Sequence, residues 1–169
     1  MRDSLGRAVA WAAEIWALLA GVILLAIVAV TTINVAAFSA DRVARNWGGS
    51  VGALPGYEDF VRLAVSAAVL MLLPYCQLRR GHIAVDLLAG RLPASLRLGL
   101  ERIWTFGIAA LALALAWAMV FGMLEARADG ALSRVLGWQE WPFYMPGIAS
   151  LLLWALVALT QPLEARAGE

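Results

Sequence analysis

The run Ile15-Trp16-Ala17-Leu18-Leu19-Ala20-Gly21-Val22-Ile23-Leu24-Leu25-Ala26-Ile27-Val28-Ala29-Val30-Thr31-Thr32-Ile33-Asn34-Val35-Ala36-Ala37-Phe38-Ser39-Ala40 carries no formal charge between Glu14 and Asp41. A helix crosses the hydrocarbon of a bilayer in ~20 residues, so this run is long enough to span. It is also longer than the ~7–15 apolar residues of a signal-peptide core, and although Ala37-Phe38-Ser39 imitates a cleavage site it reads as an uncleaved anchor. Three further uncharged runs follow, Leu63 to Leu78, Ile103 to Leu124 and Trp141 to Leu163. The second is short, and reaches spanning length only if Phe60 and Val61 join it and Arg62 snorkels outward. Pro74 predicts a kink near the end of that helix.

Composition agrees. The chain is 63% hydrophobic, against about 45–50% for a soluble domain. The expectation is an all-α integral membrane protein, one four-helix domain over residues 1–169 with spans at about 12–38, 60–78, 103–124 and 141–163. The 13 basic residues, all Arg, nearly balance 12 acids. No basic face clusters on a soluble domain, which sets nucleic acid aside. Cys76 is the only cysteine, so an intrachain disulfide, a Cys-x-x-Cys redox pair and a thiolate metal cluster are excluded. His82 is the only histidine and cannot make a bis-histidine haem or a zinc site. Neither a metal nor a cofactor is expected.

Orientation follows from the arginines. Arg79, Arg80, Arg91, Arg97 and Arg102 lie between spans two and three, and Arg2, Arg7 and Arg166 near the termini. The opposite loops hold Arg42, Arg45, Arg127 and Arg134, with Arg62 close by. The bias predicts both termini and residues 79–102 in the cytoplasm. Trp104, Trp138, Trp141, Tyr57 and Tyr144 fall near span ends, where amphipathic rings settle at headgroup depth. In the linker, Leu92, Leu96, Leu100 and Ile103 recur at helical spacing, with Pro93 in a first turn. That predicts an amphipathic helix over about 83–102, lying on the membrane surface and running into span three. The Gly- and Pro-rich loop 48–56 reads as turns, with a helix starting near Tyr57.

All four span centres lack charge. Thr31, Thr32, Asn34, Ser66 and Ser150 are the polar atoms available, and such residues ordinarily bond neighbouring helices. A conducted ion or charged substrate needs groups that replace its hydration, so passage through this bundle alone is not expected. Span three presents two small-residue stripes, Ala110, Ala114 and Ala118, and Ala112 and Ala116, suited to packing inside the bundle or against a partner.

The segment Leu78-Arg79-Arg80-Gly81-His82-Ile83-Ala84-Val85-Asp86-Leu87-Leu88, followed by Arg91-Leu92-Pro93, places charge and the single histidine between two apolar runs. Its residues offer a local network: Arg79 or Arg80 paired with Asp86, and His82 bonding the turn into the amphipathic helix. The segment resembles the signature of the small, Q-type membrane subunit of tripartite ATP-independent periplasmic (TRAP) transporters, in which an Arg-x-Gly-x-His-Ile-x-Val-Asp-like string leads into Arg-Leu-Pro. Here the glycine directly precedes the histidine. Glu58 resembles that family's acid before span two, and is equally a helix-start acid favoured by the dipole. Pro146 and Gly147 resemble its Pro-Gly pair at span four.

The resemblance implies a noncatalytic scaffold subunit in the bacterial inner membrane. Its partners would be a large (M-type) transport subunit that houses the substrate and sodium sites, a periplasmic substrate-binding protein that delivers a small organic acid, and membrane lipids. Arg79, Arg80, Gly81, His82, Asp86, Arg91, Pro93, Glu58, Pro146 and Gly147 are then structural or partner-interface residues. The rival is a small homodimeric proton-coupled drug antiporter using Glu14, a residue about five positions into its apolar run and close to the interface.

Overall fold

The computed structural model describes residues 2–79 and 94–164. These form α1 (Arg2–Arg45), α2 (Tyr57–Leu78), α3 (Ala94–Ala128), a 3-10 turn (Trp141–Phe143) and α4 (Tyr144–Glu164). Each helix carries one of the four uncharged runs, the fourth of which begins in the 3-10 turn, and all four stretches are long and apolar enough to cross a membrane. Helices are the economical solution in lipid, since they satisfy every backbone group within the segment.

The apolar runs are embedded in longer helices. α1 has 44 residues, about 66 Å at 1.5 Å per residue, against a hydrocarbon core of ~30 Å. From Ala94 the chain is helical without a break into span three; the earlier part of the expected amphipathic helix, 83–93, lies outside the described residues. α2 begins at Tyr57 itself and continues through the fully buried Pro74 to Leu78. Span four opens on the 3-10 turn. Pro146 lies in the first turn of α4, where the N–H it lacks has no intrahelical partner to lose.

α4 is the hub and packs on the other three helices, while α1 also lies along α2. Ile108, Ala109, Ala112 and Ala116 of α3 meet Leu151, Trp154, Ala155 and Ala158 of α4, with Leu70, Leu73 and Met119 closing the seam. The Ala112 and Ala116 stripe is therefore the one turned inward, and Ala110, Ala114 and Ala118 are exposed. A second cluster joins Val9 and Ala13 of α1 to Val157 of α4, backed by Leu78 and Leu153. The bundle thus has a linker end, with the start of α1 and the end of α2, and a loop end carrying residues 46–56 and 129–140.

Small residues let the helices approach closely. Gly147 is buried between α2 and α3, and a Cβ there would sit 2.8 Å from Leu70 Cδ1 and 2.7 Å from Met119 Cε. Gly56, at the start of α2, has φ 74°, and its missing side chain leaves the room that Leu136 occupies.

Candidate functional site

Polar side chains of the helices act mainly as staples, most of them at the loop end. Asp59, in the first turn of α2, is 4% exposed. Its Oδ2 accepts the backbone N–H groups of Val135 at 2.7 Å and Leu136 at 3.0 Å, which holds the 131–140 loop against α2. In the same loop Ser133 Oγ accepts the Trp138 N–H at 3.1 Å. Arg62, one turn further along α2, donates to Glu140 in an ion pair, and Arg127 of α3 lies over the Trp141 ring at 5.2 Å.

The 46–56 loop is held by α1. Asn34, fully buried, accepts the Leu54 N–H at 3.0 Å through Oδ1, and Asp41 accepts the Val51 N–H at 3.0 Å. Asp41 also pairs with Arg45 one turn on, at 2.7 Å. An open apolar cleft lined by Val30, Leu54, Pro55, Tyr57, Phe60 and Leu136 lies between the two stapled loops.

Deeper in the bundle, polar side chains bond one another across helices. Trp16 Nε1 of α1 donates to Ser150 Oγ of α4 at 2.7 Å, and Ser150 in turn donates to the Pro146 carbonyl at 2.6 Å. Trp154 Nε1 donates to Gln77 Oε1 of α2 at 3.4 Å. These bonds tie helices together in a medium without water. Among the described residues no group of three or more His, Cys, Asp or Glu side chains is placed to hold a metal ion.

The residues singled out by sequence are scattered over this frame. Arg79 caps the end of α2, donates through Nε to the Tyr75 hydroxyl at 3.1 Å, and reaches Glu14 of α1 at 3.5 Å. Glu58 is exposed in the first turn of α2, next to the inward-facing Asp59. Pro146 and Gly147 sit at the α4 seam, the first accepting Ser150 and the second making room for Leu70 and Met119. Arg80, Gly81, His82, Asp86, Arg91 and Pro93 lie outside the described residues, as does their proposed network.

Asp59 and Gln77 were missed by sequence reasoning, and a signal for them exists. Asp59, Leu63, Ala67, Met71, Pro74 and Gln77 recur at three- and four-residue spacing and are all buried. A polar side chain in phase with a helix's buried stripe needs an internal partner. Arg62 is half-exposed and reaches the loop end, where it pairs with Glu140.

Glu14 does not have the setting an antiporter acid needs. It is 48% exposed at the linker end, beside an arginine rather than alone in the bundle.

Comparison with known families finds one similarity. A profile described as tripartite ATP-independent periplasmic transporters, DctQ component, matches residues 50–168, which take in α2, α3, α4 and their connections. No curated protein and no solved structure matches.

Proposed function

Because this chain belongs to the DctQ component family of tripartite ATP-independent periplasmic transporters, we propose that it is the noncatalytic scaffold subunit of a sodium-coupled, binding-protein-dependent importer of small organic acids. The family match over residues 50–168 is the observation that carries this reading. In it the chain pairs with a large membrane subunit that holds the substrate and sodium sites, in the bacterial inner membrane, with both termini and the 79–102 linker cytoplasmic. The loop end then faces the periplasm, where the binding protein delivers its solute.

The bundle's chemistry supports a bracing role. Among its interior polar side chains, Trp16 bonds Ser150 and Trp154 bonds Gln77 across helices, while the buried Asn34 keeps its amide nitrogen without a partner among the described residues. A path for a charged solute would need polar groups that replace water along its length. The staples on Asp59, Asn34 and Asp41 instead hold two loops in place, as a static subunit requires. Arg79, Arg80, Gly81, His82, Asp86, Arg91 and Pro93, with Glu58, serve in this reading to set the linker and the partner interface.

The test is purification of the tagged chain, expressed with its operon neighbours in mild detergent, followed by mass spectrometry. A stoichiometric large membrane partner supports the scaffold, and reconstituted uptake should then need that partner, the binding protein and sodium. A homodimer without a partner would overturn it.

A further inference from the structure

Residues 54–59 carry the chain out of the 46–56 loop and into α2, and they are gripped from two sides. On one side Leu54 donates its N–H to Asn34 of α1 at 3.0 Å. On the other, Asp59 accepts the Val135 and Leu136 N–H groups at 2.7 and 3.0 Å. A carboxylate at the third position of a helix ordinarily serves the free N–H groups of its own helix start. Asp59 serves instead a segment 76 residues further along the chain.

Between these two grips stands Gly56. Its φ of 74° and ψ of 10° put it in the left-handed region, which a side chain disfavours. The same turn faces Leu136: a Cβ on Gly56 would run into Leu136 Cγ and lie 2.6 Å from its Cδ2. The Leu136 side chain is therefore seated against the bare backbone of the turn, while its own N–H is held by Asp59. Leu54, Pro55, Gly56 and Leu136 line one cleft, with Val30 of α1 and Phe60 of α2 in its wall. The 46–56 loop, the 131–140 loop and α1 thus converge on a single glycine turn.

Leu136 stays seated only while Gly56 keeps that turn, and the Leu54 bond to Asn34, two residues earlier, fixes how the chain enters it. In the other direction, lifting the 131–140 loop uncovers Gly56 and takes from Leu54 its apolar neighbour across the cleft. We propose that the two loops form one latched cap, closed by Leu136 in the notch at Gly56, and that they open together rather than separately. The outer ties, Asp41 to Val51 and Arg62 to Glu140, hold each loop to its own helix or to α2 and leave the latch as the link between the loops. Such a cap gives the bundle a loop end that keeps its shape, and whatever steadies one loop steadies the other.

The experiment is amide exchange, read by mass spectrometry on the full chain in mild detergent, with each substitution made on one side of the latch and read on the other. Leu136→Ala empties the notch but leaves the Leu54 bond to Asn34 in place, and it should speed exchange at Leu54 by about threefold or more. Asn34→Ala frees Leu54 but leaves Asp59 in place, and it should speed exchange at Val135 and Leu136 by about the same factor. Gly56→Ala, which puts a side chain into both the turn and the notch, should speed all three. The seam from Leu151 to Ala158 should exchange as in the parent in Leu136→Ala, because Leu136 lies outside it.

Asn34 is fully buried, so its loss can loosen the whole bundle, which faster exchange in that seam would reveal; Leu136→Ala then decides alone. A smaller change at Leu54 in Leu136→Ala would overturn the proposal by showing two independent clamps. A seam that loosens along with Leu54 in that variant would overturn it too, by showing that the cap is not a unit of its own.

Discussion

Gly147 offers a graded test of the seam that locates α4. Its Cβ position lies 2.7 Å from Met119 Cε and 2.8 Å from Leu70 Cδ1, both ends of flexible side chains, with Met119 Sδ at 3.4 Å. In Gly147→Ala the methyl group displaces those tips by less than an ångström or so, while replacing glycine inside a helix gains roughly 0.5–1 kcal/mol. The two effects nearly cancel, and stability should stay within about 0.5 kcal/mol of the parent. Gly147→Ile adds three further carbons to a space already filled, and overpacking of that kind costs roughly 1–3 kcal/mol, with no further gain from helix propensity. The assay is thermal or denaturant unfolding in mild detergent, followed by tryptophan fluorescence. Trp154 lies in the same seam and reports its loosening. If the crowding is specific, Met119→Ala should recover most of the stability lost in Gly147→Ile. An unchanged midpoint in Gly147→Ile, or a loss that Met119→Ala fails to relieve, would refute the geometry.

Asp59→Ala should speed amide exchange across residues 133–138 by tens of fold, since the Val135 and Leu136 N–H groups lose a charged acceptor; Glu58→Ala should change it less than about twofold. Exchange mass spectrometry on the loop peptide distinguishes them, and equal effects would refute the assignment of Asp59 as the staple. Trp16→Phe and Ser150→Ala should each cost about 0.5–1.5 kcal/mol in unfolding experiments, and the double variant should cost less than their sum because they share the 2.7 Å bond. Glu14→Gln should leave partner assembly and uptake within about twofold of the parent, because its contact with Arg79 is long and both side chains are largely exposed. Abolished transport in that variant would revive the antiporter.

Legibility in the sequence differed from residue to residue. The second span looked marginal because Arg62 interrupts it, and only the Glu140 partner on a distant segment explains why an arginine stands one turn inside α2. Pro146, half of the family-like Pro-Gly pair, sits in the first turn of α4, where it interrupts no helix. Glu58 and Asp59 are neighbours of the same chemistry. Glu58 carries the family likeness, whereas Asp59 is in phase with Leu63 and Ala67 and accepts the loop. The two alanine stripes of span three were equivalent on paper, and contact with Leu151 and Ala155 selects Ala112 and Ala116 as the buried pair.

By itself the sequence determined that this is a membrane protein of four helices, without a cysteine pair for redox chemistry, and the segment around Arg79 and Asp86 pointed to its family. These are local properties: the length of an uncharged run, a residue count, a short ordered motif. Only the tertiary structure decided which side of each helix faces protein and which polar groups meet. The reason lies in the solvent. In water a helix records its buried side as an apolar stripe against a polar one, but in lipid both sides are apolar, and the rotation of each helix is set by packing and a few hydrogen bonds between distant residues such as Trp16 and Ser150.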